Sequence, residues 1–213
     1  MNILLLGSTG NLGGAVLNRL LNDNHMVFAL ARNPKKLKHF NQDNLKIITG
    51  DIYSTQTYFE LIKNCDVVIS TIGPSSSFKK TTLFSDTIPL LIEGVKLNNP
   101  NAVLFVTSSG GVQKDDPEIQ NSFWYKHIGM RLLKSLYTDM KKMEDLLDQE
   151  HELNWVCIRP TYIRGNKTNN PYRVADKYCP KGGWQISKYD LADFIAKEVL
   201  NKKFIGKKPV IAY

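Results

Sequence analysis

The stretch Met-Asn-Ile-Leu-Leu-Leu-Gly-Ser-Thr-Gly-Asn-Leu-Gly, residues 1–13, predicts a buried strand, a tight turn and the start of a helix. The apolar run Ile3–Leu6 is typical of a strand that is buried on both faces of a parallel sheet. Gly7 lets the chain turn sharply, Gly10 lets the backbone approach a bound anion, and Gly13 lets the helix pack closely on the strand. Because the N–H groups at a helix N-terminus bind phosphate, the stretch predicts a pyrophosphate site, with a simple glycine-rich turn as the alternative.

The same alternation of apolar runs and amphipathic segments continues along the chain and predicts an α/β fold. Further strands are predicted at Met26–Ala31, Leu45–Thr49, Val67–Thr71, Ala102–Ser108, Trp155–Arg159, Trp184–Ser187 and Pro209–Tyr213. Helices are predicted from a Ser54 cap to Asn64, and at Ile88–Leu97, Met130–Leu147 and Tyr189–Leu200. We expect a doubly wound, mostly parallel sheet flanked by helices, in a single domain over residues 1–213.

A loop-rich region interrupts this alternation between residues 162 and 186. Prolines, glycines and polar residues are concentrated from Asn166 to Gly183. Loops at the carboxyl side of a sheet commonly carry substrate contacts. We therefore expect a small substrate-side excursion in this region, with a plain connection between two elements as the alternative.

The bulk composition limits the classes of protein to which the chain can belong. Its 213 residues are 42% hydrophobic, and no apolar run approaches the roughly 18–20 residues that span a bilayer, which favours a cytoplasmic protein without a membrane partner. Three cysteines without a C-x-x-C pair and four scattered histidines predict neither a disulfide framework nor a metal site. The net charge of +8 is spread over short lysine groups, which favours anionic small molecules over nucleic acid. The sequence leaves a monomer and a homodimer open.

Three motifs together carry a resemblance to a known family. The glycines of Gly7–Gly13 are spaced G-x-x-G-x-x-G, the strand Asn154–Pro160 reads NWVCIRP, and Ile186–Ala192 reads ISKYDLA. With these motifs the chain resembles the short-chain dehydrogenase/reductase superfamily, and especially its atypical branch of NmrA-like, biliverdin-IXβ-reductase-like and epimerase-like proteins. The resemblance spans nearly the whole chain and implies a Rossmann fold that binds NAD(P).

The resemblance also implies which residues form the cofactor bed. Asp51 would lie near the adenine amino group, although it could equally cap the following helix. The implied positions on this chain are Gly7, Thr9, Gly10, Asn11, Leu12, Gly13, Asp51, Ile52, Thr71, Ile72, Gly73 and Ser108. They follow the carboxyl ends of predicted strands, which is where open α/β sheets bind ligands.

The residue at the end of the second predicted strand bears on which nicotinamide cofactor is bound. In NAD-binding folds an acidic side chain at this position bonds the ribose 2′-hydroxyl. Here the strand is followed by Arg32, with Lys35 and Lys36 close behind. Because a guanidinium pairs with a 2′-phosphate and stacks on adenine, the sequence predicts NADP in preference to NAD, with a solvated basic loop as the alternative.

Candidate catalytic residues lie after the fifth predicted strand and on a later helix. Ser108 and Ser109 place two hydroxyls at a strand end, and the resemblance assigns Ser109 to orienting a substrate carbonyl; a set of turn-forming residues is the alternative. Tyr137 and Lys141 have a Y-x-x-x-K spacing, which puts both side chains near one helix face. In the family such a lysine assists proton transfer by the tyrosine. We predict Ser109, Tyr137 and Lys141 as catalytic, although the spacing also arises by chance and the atypical branch commonly lacks the tyrosine.

These observations predict an NADP(H)-dependent oxidoreductase that transfers hydride to a small carbonyl, quinone or flavin acceptor. The alternative from another class is a redox-sensing regulatory protein, resembling NmrA, that binds the dinucleotide without turnover. An epimerase or dehydratase is a second enzymatic alternative. It is disfavoured because the chain after Pro160 is short for the substrate domain that those enzymes usually carry.

Overall fold

Ten strands and seven α-helices make up the described parts of the chain, residues 1–122, 125–165 and 171–213 of a computed structural model. The strands are β1 (Asn2–Leu6), β2 (Met26–Ala31), β3 (Leu45–Thr49), β4 (Val67–Ser70), β5 (Val103–Thr107), β6 (Trp155–Pro160), β7 (Tyr162–Arg164), β8 (Arg173–Ala175), β9 (Gln185–Ser187) and β10 (Val210–Ala212). The α-helices are α1 (Asn11–Asn22), α2 (Phe59–Ile62), α3 (Leu83–Asn98), α4 (Pro117–Asn121), α5 (Met130–Leu132), α6 (Lys134–Asp148) and α7 (Lys188–Asn201). Residues 166–170 of the predicted excursion lie outside the described residues.

The main sheet is doubly wound. Because its strands other than β8 run parallel, their carboxyl ends lie at the same edge of the sheet. Its order is β3-β2-β1-β4-β5-β6-β10-β8, and its strands pair in parallel except for β10 with β8. In the register, Leu4 of β1 lies between Phe28 of β2 and Val68 of β4. β7 and β9 form a separate parallel pair. The strand order reverses between β1 and β4, the point at which such sheets bind ligands, and the predicted fold class is confirmed.

Helices cover both faces of the sheet, which explains why its central strands are apolar throughout. Ile3 and Leu5 of β1 face the side on which α1 and α7 pack, whereas Leu4 and Leu6 face α3 and α6. All four side chains are fully buried. Because burial of each such side chain stabilises by about 1.5–3 kcal/mol, β1 anchors the hydrophobic core on both sides of the sheet.

The helix predicted after Ser54 is shorter and less regular than the sequence suggests. The chain there forms a 3₁₀ turn, Thr55–Thr57, followed by the single turn of α2, and the Ser54 hydroxyl makes no capping bond. Thr57 Oγ1 instead donates to the Ser54 carbonyl oxygen at 2.7 Å. Such local side-chain bonds compete with the regular helix, which explains the difference.

The helix predicted at Ile88–Leu97 begins earlier, at Leu83, because a carboxylate from α6 caps it. Asp139 accepts hydrogen bonds from the N–H groups of Phe84 (2.9 Å) and Ser85 (3.1 Å) and from the Ser85 hydroxyl (2.5 Å). A buried negative charge at a helix N-terminus satisfies free N–H groups and complements the helix dipole. This cap therefore joins two helices that are distant in sequence.

The helix predicted at Met130–Leu147 is divided at Leu133 into α5 and α6. Leu133 has φ −96° and ψ 9°, outside the helical range, and the cavity described below lies against this break. Within the described ranges, no helix combines the length and the apolar composition that a bilayer span requires.

Candidate cofactor and substrate site

Two of the three glycines after β1 are required by close packing. Gly7 has φ +82°, and a Cβ there would lie 2.8 Å from the carbonyl carbon of Thr71. A Cβ on Gly13 would lie 2.0 Å from the Gly7 carbonyl oxygen and 2.7 Å from Thr71 Oγ1. These two glycines therefore allow α1 to pack against the ends of β1 and β4.

The third glycine, Gly10, is the N-cap of α1 and leaves the end of this helix open. Its φ of −80° suits any residue, and a Cβ would have one neighbour within 4 Å, the Gly7 carbonyl oxygen at 3.2 Å. The first helical bond runs from Gly14 N to Gly10 O (2.9 Å), so the N–H groups of residues 11–13 have no acceptor within the helix. Among the residues that the structure describes, no side chain caps α1, and the first turn of this helix contains no acidic residue. This end of the helix fits an anion such as a diphosphate.

The other predicted residues of the glycine loop differ in what they expose. The side chains of Thr9 and Asn11 are exposed beside the open end of α1, whereas Leu12 packs partly against the core. Leu12 can therefore contact a ligand through its backbone N–H. Asn11 Oδ1 accepts a hydrogen bond from Lys188 Nζ at the start of α7 (2.8 Å). Lys188 belongs to the ISKYDLA motif, but no sequence pattern indicates that its ammonium reaches this helix end.

A basic and an acidic side chain lie together where β2 and β3 end. The Arg32 side chain is 84% exposed, and its Nε lies 3.8 Å from Asp51 Oδ2. Asp51 Oδ1 also accepts a hydrogen bond from the Tyr53 N–H (3.0 Å), so this carboxylate shapes the turn after β3. The exposed guanidinium of Arg32 has the reach and the planar donors that bind a phosphate monoester.

The residues predicted after β3 and β4 differ in whether their side chains are buried or hydrogen-bonded within the protein. Ile52 is buried, and its carbonyl oxygen accepts from a buried tyrosine hydroxyl at 2.8 Å. Thr71 Oγ1 donates to the Leu6 carbonyl oxygen (3.0 Å), and Ile72 packs against the core. Apart from its two chain neighbours, no described residue lies within 4 Å of the place that a Cβ on Gly73 would take. A ligand at this edge would therefore meet backbone rather than these side chains.

A cavity of about 840 Å³ opens at the same edge, where β5 and β6 end. The residues that line it come from the segments after these strands, from α4, α6 and the Leu133 break, and from the segments around residue 180. They include Ser108, Ser109, Gly111, Ile119, Leu133, Leu136, Tyr137, Met140, Thr161, Tyr162, Cys179 and Trp184. Phe78 and Tyr162 are 70% and 72% exposed and add aromatic surface. A largely apolar cavity of this size accommodates a planar organic molecule.

The two serines after β5 offer opposite hydrogen-bonding groups to this cavity. Ser109 Oγ accepts from the Gly111 N–H (3.2 Å), which leaves its own hydrogen available to donate. Ser108 Oγ donates to Glu144 Oε1 (2.6 Å), which leaves its lone pairs available to accept. Ser109 therefore suits a carbonyl or quinone oxygen, and Ser108 suits an N–H or O–H group.

Glu144 belongs to a buried ionic group beside the cavity. Arg159 donates from Nη2 to Glu144 Oε2 (2.5 Å) and from Nε to Oε1 (3.0 Å), and neither side chain is more than 6% exposed. Burial opposes the charge on Arg159, but the hydrogen bonds and charge of Glu144 outweigh it and raise the pKa of the guanidinium. Burial, with Glu144 nearby, also raises the pKa of the Cys157 thiol well above its ordinary value. The ion pair fixes the carboxylate that orients the Ser108 hydroxyl.

The structure does not bring the predicted Lys141 into the cavity with Tyr137. Tyr137 is buried and lines the cavity. The Lys141 ammonium pairs with Asp145 one turn farther along α6, and the Lys141 side chain is 50% exposed and lines a separate hollow with Lys207 and Lys208. The two side chains line different hollows, because the boundary between the buried and exposed sides of α6 passes between these two positions, and the catalytic role of the pair stays a prediction.

A buried carboxylate joins two loops beside the cavity. Asp116 is fully buried and accepts from the N–H groups of Glu118 (2.8 Å) and Cys179 (2.6 Å). Burial, reinforced by Asp116, raises the pKa of the Cys179 thiol far above its ordinary value. The cavity therefore presents a neutral thiol at neutral pH, and Asp116 holds the segment before α4 against the segment that precedes β9.

Sequence comparisons place the chain among NAD(P)H-binding proteins. A family model described as NAD(P)H-binding matches residues 7–202. The oxidoreductase tpcG of Aspergillus fumigatus is 24% identical over 174 residues, which are 75% of this chain and 65% of that protein. The chain spans 26%, 65% and 64% of the length of three curated relatives that it matches.

Solved structures share the fold across the whole chain. A Streptococcus pneumoniae protein assigned as an NADH-flavin reductase has a TM-score of 0.75 at 22% identity, covering 100% of this chain and 99% of that one. A short-chain dehydrogenase/reductase of Veillonella parvula, solved in complex with NADP, has a TM-score of 0.77 at 14% identity, covering 100% and 94%. At these identities the likeness establishes the fold alone.

Proposed function

Because the chain belongs to the NAD(P)H-binding Rossmann family of the atypical short-chain dehydrogenase/reductase type, we propose that it is a cytoplasmic, NADP(H)-dependent reductase. Its acceptor is a small carbonyl, quinone or flavin molecule that lies in the cavity at the ends of β5 and β6. One observation carries the proposal: this cavity adjoins the strand ends whose residues would hold the dinucleotide. The names of the relatives, which include oxidoreductases, support the reaction class.

The residues at the strand ends fit such a cofactor. The open end of α1 at Gly10 would bind the diphosphate, the backbone around Gly73 would lie along a ribose, and Arg32 would bind the 2′-phosphate. When bound, the reduced nicotinamide supplies the hydride. The choice of NADP over NAD rests on the exposed guanidinium of Arg32. This arginine stands directly after the second strand, where NAD-binding folds carry an acidic side chain.

The chain's own groups would orient the acceptor and exclude water. The Ser109 hydroxyl donates to the acceptor oxygen on which negative charge develops, and Ser108 accepts from an N–H or O–H group. Tyr137 on the cavity wall is the proposed proton donor. Lys141 has no part in this step, because its ammonium pairs with Asp145 outside the cavity.

Substitution of Arg32 tests the choice of cofactor. In Arg32→Ala the dissociation constant of NADPH rises by about 10- to 100-fold, because a charge-assisted bond to the 2′-phosphate is lost. The constant for NADH changes by less than about twofold, since NADH lacks that phosphate. Calorimetric titration measures both constants, and Lys63→Ala, which removes a positive charge at the C-terminal end of α2, is the control. Equal losses for both cofactors would contradict the assignment of Arg32.

Substitutions in the cavity test the reaction. With NADPH and a panel of flavins, quinones and aldehydes, Ser109→Ala lowers kcat/KM by about 100-fold for the acceptor that is turned over, because one donor to the developing oxyanion is lost. Tyr137→Phe lowers kcat by at least about 100-fold if the phenol donates the proton. Ser54→Ala and Tyr53→Phe, which lie outside the cavity, serve as matched controls. The readout is the absorbance of the reduced nicotinamide.

A redox-sensing protein without turnover is the second candidate function. It is favoured by one observation, the absence of Lys141 from the cavity that Tyr137 lines. Tight binding of NADPH with no oxidation by any member of the panel would support the sensor. Turnover that depends on Ser109 would reject it.

A further inference from the structure

A lysine from the last helix reaches the open N-terminus of α1. Lys188, the first residue of α7, donates from Nζ to Asn11 Oδ1 at 2.8 Å, and the same Nζ lies 5.1 Å from the centre of the Tyr189 ring. α1 and α7 pack against each other on one face of the sheet, and this hydrogen bond joins their first residues. The Lys188 ammonium therefore lies beside the side chain of the first residue of α1, at the helix end where the N–H groups of residues 11–13 have no acceptor within the helix.

The carboxylates near the start of α7 are engaged elsewhere. Asp190 accepts from a tyrosine hydroxyl, and Asp193 pairs with Arg19 and Lys197, each at 2.7 Å. The first turn of α1 contains no acidic residue. Across the ranges that the structure describes, no ion pair involves Lys188. Its charge is therefore uncompensated at a helix end that already favours an anion.

The position of Lys188 separates it from Arg32. Arg32 follows β2 and faces Asp51, where the adenosine ribose and its 2′-phosphate would lie. Lys188 faces the end of α1, where the diphosphate would lie. Asn11 takes one donor of the ammonium, and the two that remain can be shared with phosphate oxygens. The two cations thus face different phosphate groups of one molecule.

We propose that Lys188 binds the diphosphate of the cofactor and is a counter-charge common to NADPH and NADH. This inference rests on the proposed function, since it requires the dinucleotide to lie across the open end of α1. Lys188 sets the affinity for both cofactors, and Arg32 sets the choice between them.

The test compares three ligands in calorimetric titrations at low ionic strength. In Lys188→Gln the dissociation constants of NADPH and NADH rise by the same factor, about 3- to 10-fold, because one charged contact is lost. The affinity for adenosine 2′-monophosphate, which has no diphosphate, is unchanged. The difference between Lys188→Gln and the wild type shrinks as salt is added, because salt screens exposed charges. Lys142→Gln, an exposed lysine of α6 on the opposite face of the sheet, is the matched control and leaves all three constants unchanged.

The outcomes separate this inference from the proposed function. Wild-type affinity of Lys188→Gln for NADPH and NADH, with an unchanged thermal unfolding midpoint, would overturn the role of Lys188 while the function stands. If Lys188→Gln lowered the affinity for adenosine 2′-monophosphate by the same factor as the affinity for NADPH, the role of Lys188 would also be overturned. The Lys188 charge would then attract the whole ligand rather than its diphosphate. Failure of the wild-type protein to bind NADPH would reject the proposed function and this inference with it.

Discussion

Gly13→Ala lowers the free energy of unfolding by at least about 3 kcal/mol or prevents folding, because the added methyl has no space. Its Cβ would lie 2.0 Å from the Gly7 carbonyl oxygen and 2.7 Å from Thr71 Oγ1. The first of these neighbours is backbone in a tight turn, so it cannot move aside as a flexible side chain would. Denaturation by urea, followed by circular dichroism, measures the change.

The neighbouring glycines supply matched controls for this prediction. A Cβ on Gly14 would be 3.7 Å from the Ser8 carbonyl oxygen, so Gly14→Ala is expected to stabilise by about 0.4–1 kcal/mol through the loss of unfolded-state entropy. Gly10→Ala is expected to fold, because its Cβ would lie 3.2 Å from the Gly7 carbonyl oxygen rather than 2.0 Å, but to bind NADPH more weakly, because the methyl group would stand where the diphosphate approaches. Equal stability of Gly13→Ala and Gly14→Ala would show that α1 does not pack against β1 as described.

Arg159→Met is expected to destabilise the protein by about 3–5 kcal/mol, because it leaves the Glu144 carboxylate buried without its counter-charge. Arg131→Met, which removes the same charge from an exposed position on α5, should change stability by no more than about 0.5 kcal/mol. The double variant Glu144→Leu/Arg159→Met should recover part of the loss, since no unpaired charge remains. A single Arg159→Met variant as stable as Arg131→Met would contradict the ionic group.

Much of the fold could be predicted from the sequence because its signals are local. Two predicted strands, Met26–Ala31 and Leu45–Thr49, have the same bounds in the structure, since apolar runs bounded by polar turns mark buried parallel strands. The glycine turn could be predicted for the same reason. Gly7 has a positive φ of +82°, and a Cβ on Gly13 would lie 2.0 Å from the Gly7 carbonyl oxygen, so both requirements arise within one strand-turn-helix unit.

The parts of the site that could not be predicted depend on contacts between distant segments. Asp139 caps α3 from α6, Glu144 meets Arg159 across two elements, and Lys188 reaches Asn11 over 177 residues. Helical spacing put Lys141 near Tyr137, but which sides of α6 are buried depends on how that helix packs against the sheet. Arg159 belongs to the NWVCIRP motif, but nothing in the sequence indicated that Glu144 is its partner.

We propose above all that the glycine turn and Arg32 form one binding bed for NADP(H). Calorimetric titration of the wild-type protein with NADPH and then with NADH tests it most directly. We expect one NADPH bound per chain, with an affinity at least about tenfold higher than that for NADH, because the 2′-phosphate adds a charge-assisted contact. Binding of neither cofactor, or a preference for NADH, would contradict the account.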